Sequence, residues 1–271
     1  MTAARRVSLE PAFLLHHSPW RDSSRILELI TRAYGRVSVI ARASRQSSSA
    51  VGSALQPFAA ALVSWTTRGE LGYLSSAEKM PAAAAAAPQP GEMALGATSS
   101  GPALSMQRLA GDRLMSGFYA SELLLKLLQR NDPHPTLFDA YAALIARLQD
   151  ATADPARALR IFEKRLLDEL GWGLNLEHEA GSGAPLEPGR SYRYGIEGGA
   201  EPVDGVAEGT LIFCGASLLS LAREDLGDAR SLADARLLLR AALDRVLEGR
   251  TLRTREVLLE MRAHSGRSEG G

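Results

Sequence analysis

The first 80 residues show the alternation of apolar and polar positions that is typical of short β-strands. Residues 36–41, RVSVIA, place valines on one face and arginine or serine on the other, and this two-residue period indicates a half-buried strand. Similar runs lie before it and on both sides of a turn predicted at Arg68-Gly69. Five short antiparallel strands with little helix favour a small closed barrel, of which the OB-fold is the common form.

From about residue 108 to 170 the apolar positions follow a helical period instead, which predicts three helices. The first is predicted to end before Pro133, and the second covers TLFDAYAALIARLQ. The third has clear boundary signals, since Asp154 suits the N-cap, Pro155 the first helical position and Gly171 the position after the end.

The carboxy-terminal part of the chain is less regular. Residues 177–210 are rich in glycine and proline and are predicted to be irregular, with two short strands nearby. A last long helix is predicted to begin at Ser231, with Asp234 completing a pattern like a capping box, and to end at Gly249. A short basic helix is predicted from about residue 252.

A low-complexity stretch, PAAAAAAPQPGEMALGATSSGP, separates the strand pattern from the helical pattern. Six alanines between prolines are too few to hold a helix in water, so the stretch is interpreted as a linker or an insertion. The sequence therefore predicts an α+β protein, with a five-stranded OB-fold domain at 1–80, this linker at 81–105 and an α-helical domain at 106–271.

Charge is balanced overall but not along the chain. The formal net charge is zero, while the first 80 residues hold ten lysines and arginines against five acids, so the predicted barrel is the basic part. The single cysteine, Cys214, allows no internal disulfide. There is no signal-peptide pattern and no apolar run long enough to span a bilayer, so we expect a cytoplasmic protein without membrane contact.

The sequence lacks the familiar motifs of enzymes. It contains no phosphate-binding loop, no dinucleotide fingerprint and no nucleophile elbow. Its five histidines do not have metal-ligand spacing. We therefore expect no enzyme activity, no catalytic residue, no metal and no cofactor.

Arginines of the predicted barrel are candidate contacts for a nucleic-acid backbone, because phosphate groups bind guanidinium groups. They lie at the turn before the central strand, on that strand, in the loop that follows it and at the turn of the next hairpin, and they are Arg21, Arg25, Arg36, Arg42, Arg45 and Arg68. Trp20 or Trp65 would add a surface for stacking bases. The alternative is an ordinary solvated strand face, with the tryptophans in the core.

A second basic stripe lies on the third predicted helix. Arg157, Arg160 and Lys164 follow one another at i, i+3 and i+7, which aligns them on the side opposite the apolar face. Such a stripe would bind an acidic peptide with an apolar end. The alternative is an ordinary solvated helix face, helped by Glu163 and Asp168.

Several segments of the chain together resemble one known family. Among them are AFLLHHSPWRDSSRILELITRAYGRVSVIARASR, ALQPFAAALVSW, RGELGYLSSAE, SGFYASELLLKLL and ALRIFEKRLLDELGWGLNL. The Gly-Arg-Val strand followed by Ala-Leu-Gln-Pro-Phe is the most specific part. In order and spacing, the chain resembles the RecO family of bacterial DNA repair proteins along almost its whole length.

The resemblance implies an OB-fold joined to a helical domain and a place in the RecFOR pathway of recombination. Such a protein binds single- and double-stranded DNA, anneals complementary strands and, with RecR, helps to load RecA onto DNA coated by single-stranded DNA-binding protein. The resemblance implies a nucleoid-associated location and no nucleotide hydrolysis. It also implies that Arg160 contacts the acidic, phenylalanine-ended tail of the coating protein.

Two departures from the family pattern change the expectation. Some relatives carry a four-cysteine zinc site in the segment that matches 177–200, and this chain resembles the zinc-free branch. The loop RASRQSSSAVGS has serines where basic residues are usual, which predicts modest DNA affinity and a shallow salt dependence. The alternative function is therefore a protein-interaction adaptor with weak or no direct DNA binding.

Overall fold

The computed structural model describes residues 5–21, 24–42, 54–67, 71–80, 109–203, 211–258 and 260. Five strands come first and close into a barrel in the order β1-β2-β3-β5-β4. They are β1 Arg5–Trp20, β2 Ser24–Thr31, β3 Gly35–Arg42, β4 Ala60–Thr67 and β5 Leu71–Lys79. This topology, with the helices that follow it, confirms the prediction of an α+β protein with an amino-terminal OB-fold.

Strand β1 is long because it pairs with two partners. Its first half pairs with β4, up to Phe13 opposite Ala60, and its second half pairs with β2, ending with Trp20 opposite Ser24. Leu9 lies in the bulge of the first half with a φ of 52°, where the strand bends. A parallel pairing of β3 with β5 closes the barrel.

The inward side chains of the strands fill the barrel. The predicted valine face of β3 is buried, and Val37 and Val39 belong to the barrel core. Trp65 belongs to the same core at 3% exposure, and its ring meets Tyr34 edge-on with 5.3 Å between centroids. The interpretation of Trp65 as a base-stacking surface is therefore wrong, and the alternative of a core residue holds.

Two helices, α1 Gly111–Leu127 and α2 Pro135–Gln149, belong to the same compact unit as the barrel. Aromatic contacts tie α2 to β1, since the ring of Phe13 lies 5.5 Å from that of Phe138 and 5.3 Å from that of Tyr141. Tilted and edge-on contacts of this kind stabilise an aromatic pair by more than the burial of its apolar area accounts for. Both helices confirm the sequence prediction.

The carboxy-terminal residues return to this barrel unit, which comprises residues 1–151 and 252–271. Residues 253–258 are helical, as predicted. The carboxylate of Glu122 on α1 accepts hydrogen bonds from the backbone nitrogens of Arg253 and Thr254 at 2.8 and 2.9 Å. It therefore acts as a cap for the first turn, where backbone donors lack partners within the helix.

Residues 152–251 form a second compact unit. A three-stranded sheet with β6 Ser191–Gly195 in the middle is part of it. Helix α3 Pro155–Glu169 begins as predicted, with the Asp154 side chain accepting a hydrogen bond from the nitrogen of Ala156 at 2.8 Å. The elements are α3 Pro155–Glu169, β6 Ser191–Gly195, β7 Gly199–Pro202, β8 Ile212–Cys214, α4 Gly215–Ala222 and α5 Ala229–Leu247.

Two details of the second unit correct the prediction. Helix α5 begins before Ser231, and its N-cap is Asp228, whose side chain accepts a hydrogen bond from the Ser231 nitrogen at 2.8 Å. Ser231 is instead buried inside the first turn. Helix α4 was not predicted, because its sequence GASLLSLA is apolar nearly throughout and shows no period.

The compact units divide the chain differently from the predicted domains. The prediction groups everything from residue 106 onward, whereas α1 and α2 belong to the barrel unit and residues 152–251 form a unit of their own. The linker predicted at 81–105 lies outside the described residues. The predicted domain boundaries therefore stay a prediction.

Candidate nucleic-acid interface

One end of the barrel carries exposed side chains on neighbouring strands. In the strand register, Ser24 of β2 lies opposite Trp20 of β1 and opposite Arg42 of β3. Directly opposed residues of antiparallel strands point to the same face. This face is the outer one, because the inner face of β3 carries the buried Val37 and Val39. Trp20 and Arg42 are therefore displayed on one surface.

Tyr73 of β5 extends this surface. The parallel pairing places Tyr73 opposite Ile40, two residues before Arg42 on the same face of β3. The Arg42 guanidinium carbon lies 5.4 Å from the centre of the Tyr73 ring, within the range of a cation–π contact. Trp20 and Tyr73 are 38% and 46% exposed. We call Trp20, Ser24, Arg42 and Tyr73 the outer row.

Arg21 and Arg25 flank the outer row. Arg21 has a φ of 52°, and its guanidinium carbon lies 5.9 Å from the centre of the Trp20 ring. Arg25 is exposed and lies opposite Ala41, so it projects from the other face of β2 at the same end of the barrel. Three predicted arginines, Arg21, Arg25 and Arg42, thus gather at this end.

Arg36 is held away from the outer row. Its side chain is 16% exposed, with its Nε 3.9 Å from a carboxylate oxygen of Glu28, and it donates a hydrogen bond to the backbone carbonyl of Leu125 on α1. Burial lowers the pKa of the Arg36 guanidinium, and the charge of Glu28 opposes that effect. The sequence placed Arg36 and Arg42 on one face, but the structure encloses Arg36 between β3 and α1.

Glu28 is the centre of a polar cluster on the middle of the β2–β3 face. Its carboxylate accepts hydrogen bonds from the Ser38 hydroxyl at 2.7 Å and from Arg130 at 2.8 Å, beside Arg36 and the end of α1. We call Glu28, Arg36, Ser38 and Arg130 the Glu28 cluster. Because this cluster covers the middle of the face, the outer row at its end is the part open to a ligand.

Arg45 and Arg68 lie outside the described residues. Tyr73 was not predicted as a functional residue. Its outward position was available from the alternation of β5, in which Gly72 is buried and Tyr73 exposed. Its closeness to Arg42 was not, because that depends on which strands pair.

The outer row combines aromatic rings with a guanidinium group. Exposed aromatic rings stack on nucleobases regardless of sequence, and arginine binds phosphate oxygens without reading the base. The rings of Trp20 and Tyr73 lie on either side of Arg42 in the row. This combination suits a single strand, in which unpaired bases and a charged backbone are both accessible.

The predicted basic stripe on α3 lies among acidic side chains of the second unit. The guanidinium of Arg157 lies 3.7 Å from the carboxylate of Asp225. The ammonium of Lys164 lies 3.0 Å from Asp168 and 3.7 Å from Glu224. An acidic ligand at this stripe would therefore compete with carboxylates that already lie there.

The three cations of this stripe differ in accessibility. Arg160 is 12% exposed, and its guanidinium lies 2.9 Å from the buried carboxylate of Glu163, one helical turn away. Lys164 is also mostly covered, whereas the Arg157 side chain is 44% exposed. The sequence placed all three on one face of the helix, and the structure leaves mainly Arg157 open.

Within the described ranges, no group of three or more His, Cys, Asp or Glu side chains could hold a metal ion. The helices described in these ranges also include none with the length and apolar character required to cross a membrane. The outer row and the α3 stripe are the two candidate sites that contain residues predicted from the sequence.

Comparison with known families matches most of the chain. Residues 6–81 match the family model described as "Recombination protein O N terminal", and residues 108–256 match the one described as "Recombination protein O C terminal". The first match covers the barrel, and the second covers the helices and the small sheet.

Similar proteins extend over almost the same length. The DNA repair protein RecO of Alkalilimnicola ehrlichii is 40% identical over 258 residues, which are 94% of this chain and 92% of that protein. Its counterpart in Nitrosococcus oceani is 39% identical over 262 residues, 95% of each chain. That of Aromatoleum aromaticum is 35% identical over 261 residues, 96% of this chain and 99% of the relative.

Proposed function

Because this chain belongs to the RecO family of DNA repair proteins, we propose that it acts as a recombination mediator. It binds single- and double-stranded DNA and anneals complementary strands. With RecR, it helps to load RecA onto DNA coated by single-stranded DNA-binding protein. It does so at the nucleoid in the cytoplasm and without catalytic residues of its own.

The outer row is the observation that carries this proposal. Arg42 and Tyr73 are in cation–π distance at 5.4 Å, and Trp20 is exposed on the same face. Stacking on such rings contributes about 1–3 kcal/mol per base, and each phosphate contact adds a salt-dependent term. Arg21 and Arg25 supply further positive charge at the same end.

Annealing by such a surface needs no chemical fuel. Two single strands repel each other through their phosphates, and arginines lower that repulsion by taking the place of condensed counterions. Base pairing then provides the favourable free energy of duplex formation. The role of the protein is to hold a single strand by a few bases that stack on its rings. The other bases of the strand then stay exposed for pairing, which an enclosed groove would prevent.

The second proposed contact joins α3 to the acidic tail of the single-stranded DNA-binding protein. Arg157 is its entry point, because its pairing with Asp225 at 3.7 Å is exposed on both sides, and exposed ion pairs contribute only about 0–1 kcal/mol. A tail carboxylate can therefore displace Asp225 at little cost. Arg160 lies three residues further along the same helix face, where it is 12% exposed and paired with Glu163.

An adaptor that binds only proteins is the alternative function. It is favoured by one observation, namely that Arg36 is enclosed in the Glu28 cluster and so does not add to the basic surface. In that case the barrel would bind partners, and DNA would be contacted through them.

Annealing of coated DNA tests the proposed function directly. Complementary oligonucleotides with a fluorescence donor and acceptor are coated with single-stranded DNA-binding protein and mixed with the full chain, without nucleotide. We expect faster annealing, which slows when the coating protein lacks its acidic tail. The variant Arg42→Ala with Tyr73→Ala should also slow it, whereas Arg32→Ala should not, because Arg32 pairs with Asp139 elsewhere on the barrel unit. No acceleration by the parent chain would favour the adaptor.

A further inference from the structure

A cleft opens at the turn end of the β2–β3 hairpin, near the start of β1. It has a volume of about 410 Å³ and is lined by Arg5, Tyr34, Ser38, Trp65, Thr67 and Asn131, among others. Its place follows from the β2–β3 hairpin, because Tyr34 lies in the turn, whereas Ser24 and Arg42 of the outer row pair at the open end. Gly72 of the cleft wall precedes Tyr73, so β5 borders both sites. Cavities of this size bind small ligands or single groups of larger ones.

The cleft wall combines a guanidinium with aromatic rings. The Arg5 guanidinium carbon lies 4.7 Å from the centre of the Tyr34 ring, and Tyr34 rests edge-on against the buried Trp65. No aspartate or glutamate of the described residues lines the cleft, and none of them forms an ion pair with Arg5. A carboxylate beside the lining is that of Glu10, which accepts a hydrogen bond from the backbone nitrogen of Ala33 at 2.6 Å. The guanidinium of Arg5 over a ring favours an anionic ligand with a flat apolar part.

Asn131 supplies a hydrogen-bonding group at the rim. Its backbone is fixed, because its nitrogen donates to the carbonyl of Arg36 at 2.8 Å and its φ is 59°. Its side-chain amide is exposed and makes no hydrogen bond to the described residues. A carboxamide both donates and accepts, and this suits the edge of a nucleobase.

We propose that this cleft binds one nucleotide of single-stranded DNA, as a second contact separate from the outer row. The phosphate lies against Arg5, the base lies against Tyr34, and Asn131 bonds to the edge of the base. This inference rests on the proposed function, because the ligand in both is single-stranded DNA. It adds a site at the turn end of the β2–β3 hairpin.

A nucleotide fits the lining better than an acidic peptide does. An acidic peptide would also satisfy Arg5 and could pair a backbone amide with Asn131, but several of its residues would be needed to reach all three groups, whereas one nucleotide carries the phosphate, the ring and the hydrogen-bonding edge. A nucleotide uses the cation, the ring and the amide together. Two contacts at the two ends of the β2–β3 hairpin would hold a strand along it and keep the bases between them exposed for pairing.

Nuclear magnetic resonance of the full chain tests this site. The chain has three tryptophans, and Trp20→Phe and Trp172→Phe identify two of the indole N–H signals, which leaves Trp65 by elimination. The probe is the oligonucleotide (dT)8. We expect the Trp65 signal to shift in a saturable way, because an aromatic base in the cleft changes the ring-current field beside it.

The variant Arg5→Gln with Asn131→Ala should weaken this response about tenfold, as expected for loss of a charge-assisted hydrogen bond and its neighbour. Arg6→Gln is the matched control, because it removes the same charge from the next residue, which does not line the cleft. Urea unfolding midpoints of both variants show that they remain folded. The variant Arg42→Ala, which alters the outer row at the open end of the β2–β3 hairpin, should still show a shift of the Trp65 signal with (dT)8.

The outcomes separate this inference from the proposed function. A Trp65 signal that stays fixed while that of Trp20 shifts would overturn the cleft site and leave the outer row intact. A Trp65 shift with an acidic peptide ending in phenylalanine, but not with (dT)8, would overturn it in favour of a peptide. If neither indole responded to (dT)8, both the cleft site and DNA binding by the barrel would fail.

Discussion

Arg42 and Tyr73 lie on strands that pair in parallel, and their side chains meet with 5.4 Å between the guanidinium carbon and the ring centre. The two residues are 31 positions apart in the chain. A cation above an exposed ring is oriented by that ring. The pair therefore presents a positioned charge and a stacking surface together, and the two functions can be measured separately.

Substitutions at this pair should have different signatures in DNA binding. Tyr73→Ala removes a stacking surface and should weaken binding of an oligothymidylate by about 1–3 kcal/mol, with the salt dependence unchanged. Arg42→Ala removes a phosphate contact and should lower the slope of log K against log salt by about 0.7. Fluorescence anisotropy at several salt concentrations measures both quantities.

The control for this comparison is Arg32→Ala, which removes an exposed arginine that is paired with Asp139. It should change neither the affinity nor the slope by a comparable amount. Equal slopes for Arg42→Ala and the parent chain would show that Arg42 does not contact a phosphate.

The Glu28 cluster should be a determinant of stability. Glu28→Leu leaves the mostly buried guanidinium of Arg36 without its nearest counter-charge, and this should lower the free energy of unfolding by about 3 kcal/mol. The double variant Glu28→Leu with Arg36→Leu should recover much of that loss. Urea unfolding of the four proteins gives the coupling as a double-mutant cycle.

Asp139→Asn is a matched control for the Glu28 cluster, because it breaks an arginine–carboxylate pair that is exposed. Its cost should be about 0–1 kcal/mol. The same proteins test the site, since Arg36→Leu should keep its affinity for single-stranded DNA. A large loss of DNA affinity in the folded Arg36→Leu protein would contradict the assignment of Arg36 to the cluster.

Charge reversal on α3 should separate binding from folding. Arg157→Glu should weaken capture of an acidic peptide ending in phenylalanine at least tenfold, because it turns an exposed attraction into repulsion. Arg160→Glu should instead destabilise the second unit, since it places a carboxylate beside the buried Glu163. Calorimetric titration with the peptide and thermal unfolding distinguish the two effects.

Arg193→Glu is the matched control, because Arg193 is an exposed arginine on β6 of the same unit. It should bind the peptide like the parent chain. All three variants should retain DNA binding at the outer row. If Arg157→Glu bound the peptide normally, the α3 stripe would not be the docking site.

The attachment of residues 253–258 to α1 should depend on pH. Burial of Glu122 favours its neutral form, but hydrogen bonds from Thr254 and Arg253 and the charge of Lys126 outweigh this, so the pKa of Glu122 lies below its ordinary value. A lowered pKa in the folded state means that ionised Glu122 stabilises the fold above the ordinary carboxylate pKa. That stabilisation is lost as pH falls through the lowered value.

Glu122→Gln should therefore release this helix at neutral pH. The free energy of local opening should fall by about 1–2 kcal/mol, as hydrogen bonds to a charged acceptor are lost. Amide exchange of residues 253–258 at pH 7 and near pH 4 gives the measurement. The difference between variant and parent should shrink at the lower pH. If variant and parent differed by the same opening free energy at both pH values, the charge of Glu122 would not contribute to the attachment of this helix.

The strands of the barrel were predictable because one face of each is buried. The alternation in residues 36–41 gave the inward valines of β3 directly, and the start of α3 followed from Asp154 and Pro155, whose roles are local. Signals of this kind depend on neighbours within a few residues of each other. The family resemblance added the OB-fold and the expected function.

The site was less predictable because it depends on contacts between distant residues. Arg36 follows the same alternation as Arg42, yet α1 covers one and leaves the other exposed. Tyr73 joins the outer row only through the parallel pairing of β5 with β3. A period shows which side chains point outward, but not what another element places over them.

The chain passes from the barrel unit to residues 152–251 and then back to complete it. The ribosome therefore synthesises the whole second unit before residues 253–258, the helix that Glu122 caps. During that interval the part of α1 that contacts residues 253 and 254 through Glu122 is uncovered in the nascent chain. We expect translation arrest after residue 251 to leave α1 more open to protease than in the finished protein, although every strand of the barrel has already been made.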